Sequence, residues 1–331
     1  MLTILPDILP APFAGIAISV MIYAVGGGLL EVLVSPVVEA CPSDNKEKAM
    51  SMLHSFYSWG FAGVVLVSTL FFYMAGIENW KILTVIWAVL PICNAAVFAK
   101  VPIAPLIEDG KQGMKIAELF RNRLFWILMI MMLCSGASEQ AVGQWASTFA
   151  EEGLGVSKTL GDLAGPMAFA VLMGMSRFFY GKYGDRINLD RFMIYSSVLC
   201  VLSYLAIALF GIPQLSLAAC ALCGLSVGIL WPGTISTASV SLPRGGTTMF
   251  ALLALGGDLG CTAGPTLVGM VSGALRNDLK TGILAGVIFP LLLLAGICLC
   301  KKSKKCFADA CGSSQREYFK EEKCNGISVD Q

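Results

Sequence analysis

The sequence predicts an all-α, polytopic membrane helix bundle, and three observations carry that prediction. Only 14% of the residues are charged, against about 25% in globular domains, which leaves too few charges to face water over 331 residues. Mean hydropathy is +0.75. The apolar residues fall in runs of roughly 20, the length that crosses a ~30 Å hydrocarbon core at ~1.5 Å per residue. Two soluble domains, which the length alone would permit, are excluded. With 23 Lys+Arg against 22 Asp+Glu there is no basic footprint for nucleic acid.

Hydropathy windows place nine spans, at about 11–35, 50–75, 80–99, 123–150, 159–181, 191–211, 215–240, 246–273 and 280–300. Their connections are short and polar, as in Cys41-Pro-Ser-Asp-Asn-Lys-Glu-Lys48, or marked by Gly and Pro, as in Gly211-Ile-Pro213. Basic residues decide the sidedness. Eighteen Lys/Arg fall in the loops after the odd-numbered helices and in the tail, and four in the loops after the even-numbered ones. That asymmetry puts the C-terminal tail in the cytoplasm; the plasma membrane is the expected location of the chain. An odd helix number then sets the N-terminus outside, although no basic residue precedes Lys46; a chain lacking upstream helices accounts for this. Most of the 12 cysteines sit inside apolar runs, where they behave as small hydrophobes. Those of the tail face a reducing compartment, so no disulfides are expected.

Transporters commonly repeat themselves, and a faint repeat is present. Gly28-Leu-Leu-Glu31 in helix one corresponds to Gly228-Ile-Leu-Trp231 in helix seven, and Pro42 and Met50 correspond to Pro243 and Met249. Helices one to three thus mirror seven to nine. Gly181-Lys-Tyr-Gly-Asp185-Arg186 looks like the G-x-x-x-D-R loop of a major facilitator half. Gly26-Gly-Gly-Leu-Leu-Glu31 with Ser35-Pro36, and Glu139-Gln140 through Gln144-Trp145 to Glu151-Glu152-Gly153, look like the fourth and seventh helices of fucose/proton symporter-like sugar permeases. The chain therefore resembles the major facilitator superfamily and, within it, these permeases. The resemblance implies helices four to twelve of a twelve-helix fold. Residues 1–100 would be part of an N-terminal bundle, 101–122 a cytoplasmic interdomain loop, 123–300 the C-terminal six-helix bundle and 301–331 a cytoplasmic tail.

Ionisable groups within hydrocarbon are costly unless they meet a cavity or a partner, and they mark function by default. Three acids qualify: Glu31, Glu139 and Asp258. Glu31 follows Gly27 and Gly28, which would let a neighbouring backbone approach; the resemblance ties its position to proton coupling. Gln140, Gln144 and Ser147 recur on one face of helix four, with Trp145 and Trp231 as aromatic platforms for a sugar. Joint contact of Gln144 and Trp145, about 100° apart around a regular helix, requires a bend. Helix two carries Ser51, His54, Tyr57 and Ser58 at helical spacing. His54, the single histidine, reads as a structural hydrogen-bonding residue, and Tyr57 as a substrate contact. Asp258 lines the cavity or caps a break in a glycine-loosened helix. Asp185 and Arg186 form a conformational latch, with Arg177 as an available partner. Cys220-x-x-Cys223 lacks further ligands for a metal, so no metal and no other cofactor is expected.

These readings combine into a transporter, not an enzyme, because no nucleophile–base pair stands out. A monomer would take up a monosaccharide together with a proton by alternating access, its partners being the solute, the proton and the lipid bilayer. A carrier for a drug-like molecule or organic acid, or a truncated, non-transporting scaffold, is the alternative.

Overall fold

A computed structural model describes residues 3–103, 113–154, 157–210, 212–275 and 278–302. Much of the expected loop 101–122, and nearly all of the expected tail, lie outside the described residues. Among those described, all regular structure is helical, and nine helices are long and apolar enough to cross a membrane. They are α1 (Pro12–Ala40), α2 (Lys46–Ala75), α3 (Ile77–Phe98), α4 (Arg123–Glu151), α5 (Leu163–Arg186), α6 (Leu189–Leu209), α7 (Gln214–Ser241), α8 (Gly246–Ala274) and α9 (Leu279–Lys302).

Local chemistry explains where several of these begin and end. The Asn45 side chain accepts a hydrogen bond from the Lys48 amide at 3.0 Å, satisfying a donor that every helix start leaves open. This cap starts α2 four residues before its apolar run. Asn122 and Asn188 do the same for α4 and α6, accepting from Leu124 and Arg191 at 2.9 and 3.0 Å. At the other limit, Ser35-Pro36 reads as a stop in sequence, yet α1 runs on to Ala40 with Pro36 inside it. Among apolar surroundings an unpaired backbone is costlier than one missing amide bond.

Helices α4 and α7 are the most buried and form the centre of the bundle, whereas α1 and α3 present apolar surface outward. The closest pairings are α4 with α8 and α2 with α5. The first is made by glycines. A Cβ on Gly260 would stand 1.9 Å from the Leu133 carbonyl oxygen, one on Gly264 2.5 Å from that of Ala137, and one on Gly136 2.3 Å from that of Gly257. Removing the side chain lets two backbones meet, the usual route to close packing where no hydrophobic force separates helix from lipid. The sequence assigns this part on α1 to Gly27 and Gly28, which follow Gly26. Nothing lies within 4 Å of a Cβ built on any of them, so the described helices make no close approach there.

Three spans are interrupted where their sequences predispose them. α4 turns at Gln144–Trp145. α5 opens with a π-helical turn at Leu163–Met167 around Pro166. α7 turns at Gly228–Ile229, just before Pro232. Pro232 has no amide hydrogen to give the carbonyl four residues earlier, and that carbonyl belongs to Gly228.

Candidate functional site

The orphaned Gly228 carbonyl is the starting point of the site. It accepts a hydrogen bond from Arg177 Nε at 2.7 Å. Arg177 projects from α5 and is 2% exposed. Its Nη2 makes an ion pair with Glu139 Oε2 on α4 at 2.9 Å, and its Nη1 donates to Ser58 Oγ at 2.9 Å and to the His54 carbonyl at 3.1 Å. The guanidinium also lies over the Tyr57 ring, 5.7 Å from its centroid. Ser51 donates to the Arg177 carbonyl at 2.7 Å. The polar stripe of α2 thus faces α5 along its length, and one guanidinium joins α2, α4, α5 and α7. A planar group with five donors in a fixed fork suits such a junction.

Beside this junction lies a cavity of about 210 Å³ lined by Glu31, His54, Tyr57, Glu139, Gln140, Arg177, Trp231, Asp258 and Cys261. The three intramembrane acids, one glutamine and two aromatic rings singled out in the sequence meet here, although 227 positions separate Glu31 from Asp258. The faint repeat is informative in this setting, since its paired positions Glu31 and Trp231 both reach the cavity. α8 is continuous through Asp258, which lines the cavity and caps no break. Gly257 accommodates the Trp231 ring, which a Cβ there would meet at 2.2 Å.

The geometry corrects three sequence expectations. Gln144 is exposed and does not line the cavity, because the turn at Gln144–Trp145 ends the face it shares with Gln140. Trp145 points elsewhere, donating from Nε1 to the Pro265 carbonyl at 3.2 Å. Arg177 is not the partner of Asp185: the carboxylate and carbonyl that it meets lie sideways across the bundle, not two turns along its own helix. His54, read as structural, stands on the cavity wall. Its Nε2 is buried with no hydrogen-bond partner among the described residues. The signal for the junction was present as an arginine amid the apolar residues of helix five, but its partners sit on other helices.

At the basic end of the bundle, Asp185 is tied to α2. Asn45 Nδ2 donates to Asp185 Oδ1 at 2.9 Å, Lys48 Nζ pairs with the other oxygen, and Arg186 is exposed beside it. Tyr180 donates to Glu47 at 2.8 Å, and Ser239 of α7 donates to Glu39 of α1 at 2.6 Å. Cys220 and Cys223 are buried in α7. No group of three or more metal-binding side chains occurs among the described residues.

A bundle of apolar helices around a polar, acid-lined cavity is the architecture of a membrane solute carrier. The chain belongs to the Major Facilitator Superfamily, whose family model matches residues 1–265. It is therefore a multi-pass membrane protein with the fold of a facilitator transporter. The fold is similar to that of a point variant of the Escherichia coli fucose:proton symporter, FucP, at 17% identity and a TM-score of 0.71 over 87% of this chain and 77% of that one. It is also similar to FucP in the outward conformation, at 16% identity and a TM-score of 0.69 over 87% and 76% of the two chains. No curated protein matches significantly in sequence.

Proposed function

We propose that the chain carries a monosaccharide inward across the plasma membrane together with a proton, by alternating access, with its basic end and tail in the cytoplasm. The observation that carries the reading is the convergence of Glu31, Glu139, Asp258, Gln140, Trp231 and Tyr57 on one cavity. Acids, an amide and aromatic faces answer the needs of a polyhydroxylated solute. At about 210 Å³ the cavity is below the ~300 Å³ where drug-sized sites begin, which favours a small solute over a drug-like one. Similarity in fold to a protein described as a fucose:proton symporter supports the same reading. Helices α4–α9 form the C-terminal bundle in it, and α1–α3 belong to the N-terminal one.

Glu31 is the proton carrier. Only the fully loaded or empty carrier reorients readily, so downhill proton entry drives uptake through binding linkage. Replacing Glu31 by Gln, which keeps the shape and removes the titration, abolishes pH-gradient-driven accumulation of labelled hexose in proteoliposomes while leaving exchange of internal for external hexose. Accumulation that is indifferent to Glu31→Gln would overturn the coupling assignment.

Asp185, held by Asn45 and Lys48, closes the cytoplasmic end and opens when the halves rock apart. Because Asp185 is exposed, its ion pair with Lys48 contributes little stability. Asp185→Asn thus leaves the melting temperature nearly unchanged. It raises the rate at which a Ser239→Cys variant is labelled from the cytoplasmic side by an impermeant maleimide.

A further inference from the structure

The charge balance of the cavity constrains what it takes. Its charged lining groups are Glu31, Glu139, Asp258 and Arg177. Arg177 and Glu139 neutralise each other at 2.9 Å, and the remaining guanidinium hydrogens are directed at Gly228, His54 and Ser58. Among the described residues, no cation and no hydrogen-bond donor meets the carboxylates of Glu31 or Asp258. The proton of the transport reading serves Glu31. A second carboxylate, the exposed Asp258, then faces the cavity without a counter-charge and attracts a cation that arrives with the solute. Tyr57 and Trp231 line the same cavity.

We infer that the solute carries a protonated amine beside its hydroxyls: an amino sugar, its ammonium donating to Asp258. This rests on the transport reading and names the substrate class within it. A charge-assisted bond of this kind is roughly twice as strong as a neutral one, so the amine discriminates against the neutral sugar.

The test is uptake by the purified full chain in proteoliposomes under an inward pH gradient, with and without sodium. Labelled D-glucosamine, D-glucose and N-acetyl-D-glucosamine are compared with the corresponding galacto sugars. The inference expects an amino sugar to be taken up at least tenfold faster than its neutral and N-acetylated counterparts. It also expects Asp258→Asn to bring that ratio close to one. The wild-type ratio stands by itself if the variant fails to fold. Neutral hexoses moving as fast as the amine, whether with sodium or with a second proton, overturn the amino-sugar inference and leave the sugar/proton reading intact. An amine preference that survives in folded Asp258→Asn overturns the assignment to Asp258. Failure to take up any of these sugars overturns both readings.

Discussion

Arg177→Met should destabilise the protein by about 3–5 kcal/mol, the cost of leaving a buried carboxylate without its partner. The change strands Glu139, which is 6% exposed, and leaves the Gly228 carbonyl with no donor because Pro232 cannot supply one. It also cuts the guanidinium's bonds to α2, at Ser58 and at the His54 carbonyl. The measurement is thermal unfolding in detergent, followed by size exclusion of a fluorescent fusion. Adding Glu139→Gln to Arg177→Met should recover the larger part of the loss, because an unpaired charge is costlier than an unpaired dipole. Glu139→Gln alone should be milder than Arg177→Met, since the guanidinium retains its bonds to Gly228, Ser58 and His54. If Arg177→Met melts like the wild type, the junction does not hold the helices together.

Gly260→Ala should be the most damaging single-methyl change in the bundle. Its Cβ would stand 1.9 Å from the Leu133 carbonyl oxygen and 2.9 Å from the Ala137 amide nitrogen. Backbone atoms cannot swing aside as a side chain does, so α4 and α8 must separate, and forced repacking of this kind costs about 1–3 kcal/mol. The separation also shifts Asp258 relative to Gln140, so solute affinity should fall together with the melting temperature. Gly27→Ala is the control. With nothing within 4 Å, the added methyl meets no neighbour, and alanine's better helix propensity, about 1 kcal/mol over glycine, should leave stability equal or higher. Equal melting temperatures for the two variants would refute the close-packing account.

The two glycine runs show how far sequence reading reaches. Gly26-Gly-Gly28 and Gly256-Gly257 with Gly260 look alike as strings, and either invites a neighbouring backbone. Only the second has one, because the approach depends on which helix lies opposite. In the same way Arg177 stood out as a charge in an apolar run, but its partner is set by a proline 55 positions away in α7 and a carboxylate 38 positions away in α4. Gln140 and Gln144 share a helical face on paper. The turn that follows Gly143 sends one to the cavity and the other to the surface.

The sequence by itself determined the helical class, the number and approximate limits of the apolar spans, and which acids stood out within them. Each of those follows from summing transfer preferences over a local window, and lipid imposes the same demand on every span. Only the tertiary structure decided that Glu31, Glu139 and Asp258 face one cavity, that Arg177 joins four helices, and that His54 lines the wall. Those facts depend on how helices distant in the chain rotate and bend against one another, where one missing methyl or one missing amide hydrogen selects the neighbour.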